Sequence, residues 1–313
     1  MYYLGIDLGG TNIAVGIVDE KGTILRKGST PTILTRPIEE IVKDMADLCK
    51  KLVAEEGLTM DDICSVGLGC PGTVDNTNGI IAFSNNIPMR NVPMRKLLEA
   101  HFPDKKINME NDANAAAFGE YIVNGGDAEN FIFITLGTGV GGGVIINKKI
   151  YRGFNCAGAE LGHIPLVLGG VPCTCGRKGC WESYASVTAL IRQTEDAMKN
   201  DPDTSMHKWV EEYGKVSGRT AFDCAKAGDK TAQAVVDRYV RYVADGLTGI
   251  QNIFQPEKLL IGGGISKEGS YLLDPIKEIV YAEEYNKYMP KTEISIATLF
   301  NDAGIIGAAL SEA

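Results

Sequence analysis

Positive charge is in short supply. Lysine and arginine total 31 against 40 acidic residues, a formal net charge of −9. A domain held on nucleic acid through its phosphates normally carries a basic face, so no nucleic-acid partner is expected. The deficit does not exclude phosphorylated small molecules, because loops and helix ends bind anions without net positive charge. Long apolar runs are missing too, and no stretch approaches the roughly 18 residues of a membrane span. The opening MYYLGIDLGG lacks the basic start and apolar centre of a secretory signal. No membrane association is expected, and the cytoplasm is the expected compartment. No low-complexity tract or flexible linker interrupts the 313 residues, which suffice for two domains of about 150 residues each or one large one.

Reduced thiols in that compartment remove disulfides as the reason for eight cysteines. Cys49, Cys64, Cys70, Cys156 and Cys224 are scattered, most among apolar neighbours, and read as small core residues. Cys173, Cys175 and Cys180 cluster in PCTCGRKGCWE (172–182), without the CxxC spacing of a redox pair. His163 lies ten residues before the first of them, in GAELGHIPL. One imidazole and three thiolates compose a closed, structural Zn²⁺ site, with Gly176 and Gly179 letting the loop bend; an ordinary buried histidine is the alternative for His163. Structural zinc contributes on the order of 10 kcal/mol to local folding. It would pin Glu160 and Glu182, which flank the ligands, as acceptors for hydroxyls such as a sugar presents. Taken alone, either glutamate reads as a solvated surface residue.

Short β-rich runs alternate with helical patterns, which predicts an α/β protein. YYLGIDL, NIAVGIVD and a run near 22–31 read as antiparallel strands, and Ile38 to Val53 repeats apolar residues at helical spacing. ICSVGLG (63–69) and KINME (106–110) read as buried strands, the second running into a helix at NDANAAAFGEYIV. FIFITLGTGVGGGVIIN (131–147) repeats the strand, glycine turn, strand layout of the start, which suggests a duplication. Residues 229–253 read as a long helix, KLLIGGGIS as a strand into a turn, and NDAGIIGAALSEA as a closing helix with small residues for close packing.

Three glycine turns between apolar strands, DLGGTN (7–12), LGTGVGGG (136–143) and IGGGIS (261–266), have the composition of phosphate cradles, although each alone reads equally well as a tight hairpin. None matches GxxxxGK[ST], so a P-loop is excluded. Asp7 stands where a carboxylate holds Mg²⁺ through water, or where a turn aspartate bonds its own backbone. Thr11 and Asn12 read as turn formers or phosphate contacts. Asn111 and Asp112 fall where a strand ends and a helix starts, the place ligands gather in open α/β folds. Asp112 is a candidate general base toward a hydroxyl, though local sequence favours it as a helix cap.

DLGGTN, GLGCPGTVD, END, ITLGTGVGGGVIINKKIYRGFNCAGAELGH and CTCGRKGCWESYAS together resemble the ROK family of repressors, open reading frames and kinases, its ATP-dependent glucokinase branch in particular. The resemblance runs from residue 5 to the end. It implies an actin-like, hexokinase-like (ribonuclease H-like) α/β fold with two domains around a cleft: a small one of 1–115 plus about 301–313, and a large one of 116–300 with the zinc loop. It implies phosphoryl transfer from ATP, with Mg²⁺, to the 6-hydroxyl of glucose, Asp112 taking the hydroxyl proton. Gly72, Asn86, Asn111, Glu160, His163 and Glu182 match the sugar-binding positions. His163, Cys173, Cys175 and Cys180 match the zinc ligands. Asp7, Gly9, Gly10, Thr11, Asn12, Gly137, Thr138 and Gly139 correspond to the phosphate loops, and Gly262, Gly263 and Gly264 to the adenosine side. A homodimer or homotetramer is implied as well.

The chain departs from the glucokinase pattern in NIPMRNVPM, where Met89 takes an aromatic place and weakens the transfer of sugar preference. N-acetylmannosamine, N-acetylglucosamine and fructose remain alternative substrates. The family's sugar-sensing repressors carry an N-terminal helix-turn-helix, whereas the first phosphate strand here begins at Tyr2. A sugar-binding protein without activity is disfavoured by Asp7 and Asp112.

Overall fold

The computed structural model describes residues 1–84 and 87–311; Asn86, a sugar-binding candidate, lies outside them. Strand β1 (Tyr2–Leu8) is buried along most of its length, and β2 (Asn12–Asp19) folds back on it antiparallel. Burying Leu4, Ile6 and Leu8 contributes about 1.5–3 kcal/mol each. β3 (Ile24–Pro31) pairs antiparallel with β2. Helix α1 (Ile38–Glu55) turns Ile41, Val42, Met45, Cys49, Leu52 and Val53 inward at three- and four-residue spacing. β4 (Ile63–Cys70) runs parallel to β1. A small sheet of β5 (Thr73–Asp75), β6 (Ile80–Ser84) and β7 (Met89–Val92) follows, unforeseen from sequence. After α2 (Met94–Glu99), β8 (Lys106–Asn111) pairs parallel with β4 and leads directly into α3 (Asp112–Asn124).

The second cycle opens with β9 (Phe131–Leu136), β10 (Val140–Ile146) and the short β11 (Lys149–Ile150). Helices α4 (Glu182–Ala185), α5 (Val187–Asn200), α6 (Met206–Tyr213), α7 (Thr220–Lys226) and α8 (Lys230–Phe254) come next. β12 (Lys258–Gly262), α9 (Ser270–Glu283), β13 (Glu293–Ile296) and α10 (Asp302–Leu310) complete the order. The two large sheets have orders β3-β2-β1-β4-β8 and β11-β10-β9-β12-β13. The order of the first recurs in the second, as a duplication requires.

Contacts divide the chain into two units: Met1–Phe133, Gly142–Ala159 and Thr298–Ala313 in the first, Ile134–Gly141 and Glu160–Ala297 in the second. In the first, α10 lies so close to its neighbours that only glycine fits beneath it. A Cβ on Gly5 of β1 would stand 1.9 Å from the Ile305 carbonyl oxygen, and one on Gly67 of β4 would stand 1.7 Å from that of Ala308. In the second, the Trp181 indole is fully buried, donates to the Tyr242 carbonyl at 2.8 Å, and packs where a side chain on Gly246 of α8 would otherwise lie. That anchor seats the cysteine loop on the longest helix.

Two scattered cysteines correct the core reading. Cys49, Cys70 and Cys224 are buried, but Cys64 is exposed at the start of β4 and Cys156 is half-buried in a loop at φ +59°. No helix among the described residues is long and apolar enough to cross a membrane.

Candidate active site

In the first unit the parallel order β1-β4-β8 gathers carboxylates at the strands' C-terminal ends. Asp7, next to last in β1, faces Gly69 in register, and Gly69 in turn faces Glu110 of β8. Helix α10 reaches Asp7 through Gly304, where a Cβ would stand 2.9 Å from Asp7 Oδ2. The turn after β1 closes with the Gly9 N–H donating to the Asn12 carbonyl at 3.0 Å. Thr32 braces it: its hydroxyl donates to the Gly9 carbonyl at 2.7 Å and its N–H to that of Thr11 at 2.8 Å. Thr11 and Asn12 are exposed on this turn, beside half-exposed Gly9 and Gly10.

The helix cap corrects the expectation for Asp112. Asn111 is the N-cap, its Oδ1 accepting from the N–H groups of Ala113 at 3.0 Å and Asn114 at 3.2 Å. Its extended backbone, at φ −63° and ψ 144°, is the conformation that aims a short polar side chain at the orphan donors of the first turn. Asp112 becomes the first helical residue, with one oxygen accepting the Ala113 N–H at 2.9 Å. Asn111 Nδ2 donates to the Gly72 carbonyl at 3.0 Å. Gly72 holds φ +102° with the Phe83 carbonyl 2.1 Å from where a Cβ would sit, so no other residue fits. Burial raises the Asp112 pKa above the ordinary carboxylate value, and burial together with the Asp112 charge pushes Asp7 up to about 6. Asp7, Gly72, Asn111 and Asp112 therefore form one cluster.

In the second unit two glycine turns end adjacent strands. The Gly137 N–H donates to the Gly139 carbonyl at 2.9 Å, and the Gly137 carbonyl accepts from the Val187 N–H at 2.8 Å. The Thr188 hydroxyl donates to the Thr138 carbonyl at 2.7 Å; no motif pointed to this residue of α5. Gly263, between Gly262 and Gly264, holds φ +89°, and its missing Cβ would stand 2.2 Å from the Leu136 carbonyl. Glu182, the first residue of α4, reaches back to this loop. Its Oε2 accepts the Val140 N–H at 3.0 Å, and a Cβ on Gly139 would lie 2.3 Å from the same oxygen.

The metal-type residues converge as their spacing predicts. One ligand atom each of His163, Cys173, Cys175 and Cys180 lies within 4.8 Å of the others. His163 Nδ1 is 3.6 Å from Cys173 Sγ, and the Cys175 and Cys180 sulfurs are 3.6 Å apart. Donors bound tetrahedrally at Zn–S distances near 2.3 Å stand about 3.8 Å apart, so the donor set and spacing fit zinc. Gly176 and Gly179 make the bend at φ +90° and +83°. His163 closes a short 3-10 turn whose N-cap is the exposed Glu160. Cys173 Sγ also lies 3.7 Å from Glu182 Oε1.

Two sheets of one strand order, each opened by a glycine-turned hairpin, give the actin-like class of sugar-kinase folds. The ROK family profile matches residues 3–311, and the chain belongs to the ROK family. It is 37% identical over 98% of its length to the glucokinase of Thermotoga maritima, covering 95% of that protein. It is 36% identical over 98% of its length to that of Halalkalibacterium halodurans, covering 93%. The crystal structure of a ROK-family glucokinase from Streptomyces griseus, in complex with glucose and AMPPNP, superposes with a TM-score of 0.80 at 35% identity, over 99% of this chain and 98% of that one.

Proposed function

We propose that this protein is an ATP-dependent glucose kinase that transfers the γ-phosphate to the sugar's 6-hydroxyl. The observation that carries the reading is the placement of Asp112: Asn111 takes over the helix cap, and the Asp112 carboxylate stays within electrostatic reach of Asp7. The glucokinase relatives, and the glucose and AMPPNP of the S. griseus complex, support the substrate pair.

In this reading the 6-hydroxyl oxygen attacks the γ-phosphorus, the bond to the ADP oxygen breaks, and the hydroxyl proton passes to Asp112. Such transfers depend mainly on positioning and charge stabilisation. Gly72, Asn111, Glu160, His163 and Glu182 are assigned to the remaining hydroxyls. The amides of Gly9, Gly10, Thr11 and Asn12, and of Gly137, Thr138 and Gly139, are assigned to the phosphates, with Gly262 to Gly264 toward the adenosine. Mg²⁺, for which Asp7 is the assigned protein carboxylate, supplies positive charge beside the phosphates. Zn²⁺ on His163, Cys173, Cys175 and Cys180 is structural. Eight cysteines outside any disulfide suit a cytoplasmic enzyme, and a homodimer or homotetramer is the proposed assembly.

The deciding experiment is a coupled ADP assay with glucose, mannose, fructose, N-acetylglucosamine and N-acetylmannosamine. Glucose is expected to give the highest kcat/KM; higher turnover of an N-acetylated sugar or fructose would move the assignment there, and no turnover of any would end the kinase reading.

A further inference from the structure

Directly before the Asn111 and Asp112 pair stands a buried glutamate to which the reaction as written gives no role. The Glu110 side chain is 2% exposed, and both its oxygens are engaged. One accepts from the Asn111 backbone N–H at 3.0 Å and from Asn114 Nδ2 at 3.2 Å. The other accepts from Arg152 Nε and Nη2, each at 2.7 Å. Arg152 follows β11 and belongs to the same unit.

We infer that Glu110 and Arg152 are a positioning pair for the base, the carboxylate gripping α3 on both sides of Asp112 and the guanidinium locking that carboxylate. The inference rests on Asp112 being the base. Helix ends fray, and Asp112 is the first residue of its helix, so its aim depends on what holds Asn111 and Asn114. Charge-assisted bonds from a planar guanidinium are the stronger and more directional kind. A buried carboxylate without its cation would seek water and release the turn. Placement matters because a shift of about 1 Å in a reacting group costs about 100-fold in rate. Neither Glu110 nor Arg152 needs to touch sugar or nucleotide, so both are positioning residues rather than catalytic ones.

The test is kinetic and uses the full chain. Arg152→Met is expected to lower kcat about 10- to 100-fold while the KM for ATP stays within about twofold. Arg152→Lys, which keeps the charge and one bond, is expected to recover part of that loss. Glu110→Gln with Arg152→Met leaves no unpaired buried charge; it is expected to melt near the wild-type temperature yet remain slow. An ion pair with a purely structural role would show the reverse, full kcat in that double variant, and this result overturns the inference. In an Asp112→Asn background, Arg152→Met should cost little further rate, because the group it aims is gone; a full additive loss also overturns it. Wild type and Asp112→Asn are measured first. Equal rates for those two, or no wild-type turnover, would end the base assignment itself, an outcome distinct from a fast Arg152 variant.

Discussion

Glu182 Oε2 accepts the backbone N–H of Val140 at 3.0 Å, so the carboxylate two residues past the last cysteine is fastened to the second glycine turn. With Cys173 Sγ 3.7 Å from its other oxygen, one side chain joins the cysteine loop to the loop assigned to phosphate. Loss of that acceptor strands a buried donor, at a cost of about 1–3 kcal/mol. Glu182→Ala is therefore expected to raise the KM for ATP by about 10-fold along with that for glucose. Glu182→Gln, which retains an acceptor oxygen, should raise the glucose KM alone. An unchanged ATP KM in the alanine variant would show that the turn stands without Glu182.

Zinc held by His163, Cys173, Cys175 and Cys180 would support that link from the other side. Protein purified without added metal is expected to carry one zinc per chain, and Cys175→Ser to carry less and melt lower. Metal analysis alongside calorimetry checks both points; a chain free of zinc with full thermal stability rules the site out.

Asp112→Asn is expected to reduce kcat by roughly 10² to 10⁴-fold and leave glucose binding within a few-fold. Glucose titration by calorimetry separates the two effects. Near-normal turnover would reject the base.

Asp7 carries a stability penalty that depends on pH. Its carboxyl rises from an ordinary value near 3.8 to about 6 in the folded chain. Between those values the folded protein holds a proton that the unfolded chain has released. The contribution is thus present below about pH 4 and lost as the pH climbs through about 6. A shift of this size, discounted for partial solvent screening, corresponds to about 1–2 kcal/mol. Without Mg²⁺ or nucleotide, Asp7→Asn should melt about 2–5 °C above wild type at pH 7.5, with the gap closing near pH 4, while kcat collapses. A variant less stable than wild type at pH 7.5 contradicts the assignment.

The packing of α10 gives a prediction independent of chemistry. Gly67→Ala would drive a methyl to 1.7 Å from the Ala308 carbonyl oxygen, and backbone has little room to yield. A loss of about 3 kcal/mol or more is expected, read as a lower denaturant midpoint.

Much of this architecture was legible. β1, β2, β4, β9, β10 and β12 are apolar runs punctuated by glycine turns, β8 is a short run ending at a helix start, and α1 and α8 show unbroken helical periodicity, so period and punctuation agreed. β5 to β7 were not, because three to five residues apiece are too few to establish a period. The zinc-type cluster was readable because its cysteines are sequence neighbours. Which of Asn111 and Asp112 caps α3 was not, since both are good caps and a single residue of extended backbone decides. The Glu110 and Arg152 pair was invisible for a further reason: 42 residues separate them, and only the folded chain brings them together.

The fit of α10 against Gly5 and Gly67 also sets an order of events during synthesis. The first unit lacks part of its floor until residues 302–310 emerge from the ribosome, 178 residues after the end of α3 at Asn124. At about 5–20 residues per second that gap lasts roughly 10 to 35 s. Through that interval the seam along β1 and β4 lies open to solvent, to the protein's own unfinished second half, and to chaperones.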